Sequence, residues 1–181
     1  MDFGILMIRV VVGLVLAAHG AQKLFGWFEG PGLDRTGKFF ETLGFRPGRR
    51  HAMLAGVAET GGGALLVLGL LTPLGAAAAI GVMLAATIAV HMPNGFFAGD
   101  GGYEFPLVLG VAAAGVAFTG PGSISFDSAF GRGFGGFGFG ILAVLVGSLT
   151  AAGVLSRRVD EAAEAPTAEE AEAEQEQRKA A

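Results

Sequence analysis

The stretch ILMIRVVVGLVLAAHGAQKLFGWF, residues 5–28, restricts what this chain can fold into more than any other. It is long enough to cross a bilayer, which takes about 20 apolar residues, yet it carries Arg9, His19 and Lys23. An ionisable side chain in the hydrocarbon costs roughly 2.5–3.5 kcal/mol on insertion scales. Three such groups on one helix do not face lipid. At about 100° per residue they fall within an arc of about 80°. One side of this helix is therefore polar, and the rest of the fold has to supply its partners.

Composition points the same way. Hydrophobic residues make up 52% of the 181-residue chain and charged residues 15%, against roughly 25% charged in soluble domains. The chain reads as an all-α, polytopic membrane protein. Its 32 glycines suit membrane helices, which associate through close backbone approach. There is no cysteine, so thiolate catalysis, disulfide relay and Cys-ligated metal centres are excluded. Before Arg157 eight acids balance eight bases, and the net charge of −4 arises in the tail. A basic nucleic-acid surface is absent from this distribution. The opening Met-Asp-Phe-Gly lacks the basic region of a signal peptide, so the first apolar stretch is expected to remain as an uncleaved span.

Residues 29–50 form a loop rich in glycine, proline and charge. Asp34 is placed to cap a short helix that Gly44 ends, with Thr36, Phe39, Phe40 and Leu43 on one side and Lys38 and Glu41 on the other. That pattern predicts a helix lying in the membrane interface, its phenylalanines toward the acyl chains. Further spans follow at 52–71 and 73–92, joined by a turn too short for anything but an antiparallel hairpin. A shorter one runs over 106–119, opened by Pro106 and stopped by Gly120-Pro121. Residues 128–136 are a Gly/Phe-rich connector within SISFDSAFGRGFGGFGFG, and apolar residues resume for a fifth transmembrane helix over 137–156. The expected organisation is a four-helix transmembrane bundle in residues 1–127, the connector, the fifth helix, and an acidic, disordered tail over 157–181.

Basic residues near the spans set orientation. Five spans put Arg35, Lys38, Arg46, Arg49 and Arg50 on the same side as Arg157 and Arg158, whereas four would oppose the two clusters. The N-terminus is thus expected outside and the C-terminus in the cytoplasm.

Antiparallel packing brings His19 and Lys23 to the depth of Glu59, which lies about 12 Å along the second span. His91 closes the third span, and Glu104 opens the fourth, on the same side. The neighbours of Glu59 one turn away are Ala55, Gly56, Gly62 and Gly63, small enough for a partner helix to come close. This layer admits several chemistries. A Glu59–Lys23 or Glu59–His19 pair could fix helix register without further function. A carboxylate beside a histidine could relay protons, which makes Glu59, His19 and Lys23 the catalytic candidates. Two histidines and two carboxylates could hold a divalent metal, but no HxxxH or ExxH spacing supports one, and no metal is expected. His91, Asn94, Glu104 and Trp27 are candidates for a quinone or small-molecule pocket, with Trp27 also suited to anchoring at the interface. Arg9 lies about 15 Å from His19 along the helix and is expected in structural ion pairing.

The segments LMIRVVVGLVLAAHGAQKLFGWFEGPGL, FFETLGF, AGVAETGGGALLVLGLLTPLGA, VHMPNGFF and GGYEFPL occur in this order. Together they resemble the DoxX family of bacterial membrane proteins, over roughly residues 5–127. The resemblance implies a four-helix core in the bacterial inner membrane, with Arg9, His19, Lys23, Glu59, His91 and Asn94 at the family's typical polar positions. It also implies a membrane subunit of a redox or oxidative- and thiol-stress system, linked in some relatives to quinone. With no cysteine and no nucleotide or haem motif, such a subunit needs a bound quinone or a soluble redox enzyme as partner. The alternatives are a scaffold that recruits soluble redox enzymes without chemistry of its own, and a small-molecule or proton pathway. Whether the chain is itself an enzyme, and whether it forms an oligomer, the sequence leaves open.

Overall fold

The computed structural model describes residues 2–159, which contain helices and turns and no β-strand. The expected acidic tail falls outside these residues from position 160 onward. Seven α-helices follow one another: α1 (Asp2–Phe25), α2 (Gly32–Thr42), α3 (Gly48–Leu68), α4 (Thr72–Ala86), α5 (Glu104–Thr119), α6 (Phe126–Ala129) and α7 (Phe137–Leu155). α4 continues through a wider π-turn (Thr87–His91) and a 3-10 turn (Met92–Asn94). Among the described residues, four helices are long and apolar enough to cross a membrane: α1, α3, the extended α4 and α7. The chain is an all-α, multi-pass membrane protein. α5 has 16 residues, about 24 Å of helix against a hydrocarbon core of about 30 Å.

Glycine contacts decide which helices meet. A methyl group on Gly13 would sit 2.6 Å from the Gly63 carbonyl, and one on Gly20 would sit 2.6 Å from the Gly56 carbonyl. Only bare backbone allows α1 and α3 so close, and among the described residues these two helices make the most extensive helix–helix contact. The small residues around Glu59 therefore divide their work. Gly56 and Gly63 meet α1, while Gly62 faces α4, where an added methyl would lie 2.9 Å from the Ala78 methyl. α4 in turn packs against α5 and α7, the latter through Gly81 and Gly147. α1, α3, α4 and α5 close a bundle around Val12, Leu16, Leu66, Ala76, Met83 and Leu109, with α7 laid against its α4–α5 side. Outward faces carry Val11, Leu14, Val108, Val111, Leu145 and Leu149, all exposed, as a lipid-facing surface requires.

One end of the bundle is a polar clamp. Gly69 (φ 61°) and Leu71 (φ 46°) both adopt left-handed backbone at the α3–α4 corner, a conformation that costs energy at a leucine. Asp127 holds the corner in place. Its carboxylate accepts from the Leu71 amide (2.8 Å), the Thr72 amide (2.9 Å) and the Thr72 hydroxyl (2.8 Å), while its own amide donates to the Gly69 carbonyl (2.9 Å). Arg9 joins the clamp by donating to the carbonyls of Pro121 and Ile124. Its described partners are thus backbone carbonyls rather than a carboxylate within pairing distance. The stretch after α5, expected as a plain connector, is the strap that closes this end of the bundle.

The other end gathers the basic residues. Phe45 and Arg158 form an antiparallel bridge, Val159 donates to the Gly44 carbonyl (2.9 Å), and Arg158 Nε donates to Leu43 (2.6 Å). The first loop and the end of α7 therefore share one face. α2 covers this end, but Asp34 does not cap it. Pro31 occupies the cap position, and Asp34 pairs with Arg49 at 2.9 Å on the surface.

Candidate functional site

Lys23 sits in the last turn of α1, and Glu59 in the middle of α3. The Gly20–Gly56 approach one turn away removes the separation that side chains would impose. Lys23 Nζ therefore bonds both carboxylate oxygens of Glu59, at 2.9 and 2.7 Å. Glu59 is 3% exposed and Lys23 23%, so the pair is closed on the carboxylate side and open on the ammonium side. His19, one turn earlier on α1, packs its ring against Phe105 of α5, with centroids 5.7 Å apart.

The open side leads into a cavity of about 750 Å³, within the range of small-molecule sites. His19, Lys23, Glu59 and His91 all line it. The remaining wall is mainly apolar, with alanines 55, 58, 77, 78, 85, 86 and 89 from α3 and α4. Thr36, Phe39 and Phe40 of α2, and Leu43 just after it, also line it. The apolar face of that helix, expected to turn toward acyl chains, lines the cavity, and Phe39 is also 47% exposed.

The other predicted pocket residues serve the loop between α4 and α5. His91 Nδ1 lies 2.7 Å from the Gly101 carbonyl, and the Asn94 amide donates to Gly101 (3.3 Å) and Val90 (3.4 Å). Glu104 accepts from the Ala98 amide at 3.0 Å. Only His91 of these reaches the cavity wall; Asn94 and Glu104 stay outside it. Trp27 is also outside, 60% exposed and packed on Phe25 with ring centroids 5.2 Å apart. Among the described residues no three of His, Asp and Glu gather closely enough to hold a metal ion.

Two residues escaped the sequence reading. His51 lines the cavity, and its spacing of eight from Glu59 places it about 80° away on the same helix, a signal that was legible. Asp127 is the sole carboxylate between Glu104 and Asp160. A lone acid in so long an apolar stretch was the available sign that it has buried work to do.

The DoxX family model matches residues 4–92. Residues 4–92 belong to the DoxX family. That segment runs from the start of α1 to the end of the widened α4, and it contains Arg9, His19, Lys23, Glu59 and His91. The DoxX segment thus supplies the charged pole of the cavity together with α2, whereas α5, the Asp127 strap and α7 lie beyond it. Comparison with curated proteins and with solved structures found no match.

Proposed function

We propose that the protein is a membrane subunit of a quinone-linked redox system, serving oxidative or thiol stress, with the quinone ring in the cavity. One observation carries the reading. A buried Lys23–Glu59 pair opens, on the lysine side, into an apolar chamber large enough for a ring and part of a tail. Lys23 keeps a donor beyond the two bonded to Glu59, and an ammonium is a strong donor to a quinone carbonyl. His19 stands one turn away as a second polar contact. Reduction of a quinone to its quinol takes two electrons and two protons. The chain has no cysteine, and the electrons come in this reading from a soluble redox enzyme docked on the basic face. Glu59 and His19 hold the protons near the carbonyl oxygens.

The shared face formed by the first loop and the end of α7 also favours a second reading, a scaffold that recruits such an enzyme without chemistry of its own. In both readings the protein lies in the bacterial inner membrane with that basic face in the cytoplasm. A reporter fused after Ala181 that is active only in the periplasm contradicts the orientation. The two readings separate on quinone content. Protein purified in mild detergent should carry quinone, and Glu59→Gln should lose it. A quinone-free wild-type protein that retains a soluble enzyme in fixed ratio supports the scaffold instead.

A further inference from the structure

The cavity has a second polar point that the Lys23–Glu59 pair does not use. His51 lies in the first turn of α3, and its ring packs on Phe45 with centroids 5.3 Å apart. Its Nδ1 is sealed from solvent and bonds to nothing. Nε2 also has no protein partner among the described residues, but it is not sealed. A buried orphan N–H costs more than a buried lone pair, so the neutral ring carries its proton on Nε2. His51 therefore presents a free donor at the cavity wall. Arg157, at the end of α7, is within electrostatic reach of the ring. A donor beside a cation fits an anionic oxygen.

The walls below this point fit a hydrocarbon chain. α3 and α7 each pack against α4, and both contribute to the cavity lining, with Leu54 and Ala58 from α3 and Val146, Thr150 and Val154 from α7. Thr150 turns its hydroxyl back to the Val146 carbonyl at 2.8 Å, which leaves this wall apolar. From His51 to Glu59 on α3, and from Val154 to Val146 on α7, each wall descends eight residues, about 12 Å. One leaflet of hydrocarbon is about 15 Å deep, half of the bilayer core. His51 lies three residues into α3, about 5 Å from its start, at the end of the bundle that gathers the basic residues.

We propose that the α3–α7 side of the cavity binds one anionic phospholipid, its phosphate accepting from His51 Nε2 beside Arg157 and one acyl chain lying between α3 and α7. The charge of the surroundings selects this occupant over a neutral lipid. Arg50 flanks His51 in sequence and Arg157 and Arg158 follow α7, while on α2 Arg35 and Lys38 are matched by Asp34 and Glu41, so the positive excess lies on the arginines around His51. The proposal requires only that the chain sits in a membrane and is independent of the quinone reading.

The test uses the full chain reconstituted in vesicles of phosphatidylcholine with a minor fraction of phosphatidylglycerol, then released in mild detergent. Native mass spectrometry counts the lipid retained. Wild type should keep one phosphatidylglycerol per chain in preference to phosphatidylcholine. His51→Leu should lower that retention by about tenfold or more, the worth of one charge-assisted hydrogen bond, and His51→Gln should recover part of it. Recovery by the glutamine variant separates lost binding from lost folding. Glu59→Gln should keep the phosphatidylglycerol while losing quinone, so the two sites fail separately. Equal retention of the two lipids by wild type, or undiminished retention by a folded His51→Leu protein, overturns the proposal.

Discussion

The molecule holds two buried charged clusters at opposite ends of one bundle, and they are built differently. At the strap end, Arg9 is 1% exposed and Asp127 0%. Their hydrogen bonds go to backbone groups of Pro121, Ile124, Leu71 and Thr72, with the Thr72 hydroxyl added. Charge there closes a corner and leaves no opening. At the α2 end, Lys23 and Glu59 bond each other, and Lys23 faces a cavity with donor capacity to spare. An ionisable group within a membrane span is a functional candidate by default. The comparison refines that default. A charge whose hydrogen bonds tie one corner of the backbone together is architecture, and one that retains a donor facing a chamber is available for chemistry.

Substitutions should separate the two ends by the kind of effect as well as its size. Asp127→Ala should be the most damaging, because it strands two amides and a hydroxyl and releases the left-handed Leu71. We expect a loss of about 3–5 kcal/mol, read as early unfolding in a detergent thermal melt. Arg9→Ala should follow closely, with the Pro121 and Ile124 carbonyls left unpaired. A melt of either variant matching wild type would remove the architectural reading of this end. Gly20→Val comes next, at roughly 1–3 kcal/mol, since a side chain there meets the Gly56 carbonyl. It should also part Lys23 from Glu59, so quinone content should fall with stability.

Glu59→Gln keeps a hydrogen-bond acceptor but leaves the Lys23 ammonium, 23% exposed, without its counter-charge, and should cost about 1–2 kcal/mol while abolishing quinone retention. A variant that melts like wild type and still holds quinone would place the pair with Arg9 and Asp127. Trp27→Ala should be the mildest, within about 0.5 kcal/mol and without effect on quinone, because its ring lies on the surface outside the cavity.

The difference between the ends also explains what could be read from the sequence. The multi-pass helical fold was legible, because apolar runs of spanning length and their separating turns leave few alternatives. Depth along antiparallel helices puts Lys23 level with Glu59, and glycine spacing marks where a helix can come close. It did not reveal that Gly62 serves α4 rather than α1, since both faces of α3 are rich in small residues. The cavity was illegible because alanines lining a void look like alanines packed against a neighbour. Asn94 and Glu104 were placed at the correct end but turn to the amides and carbonyls of their own loop, a choice set by backbone geometry. Arg9 had no identifiable partner because its acceptors are carbonyls, which every residue carries. The π-turn before His91 had no signal that we can identify.

The central claim is that Lys23 and Glu59 are retained for chemistry and not for stability. Replacing a buried ion pair with apolar residues is often neutral or stabilising in other proteins, which allows a direct test. The double variant Lys23→Leu with Glu59→Leu removes both charges and strands neither partner. Its melting temperature and its quinone content, measured on the same detergent preparation beside wild type, decide the matter. The account predicts a melt at or above that of wild type and no bound quinone. A double variant that melts normally and keeps its quinone would contradict it.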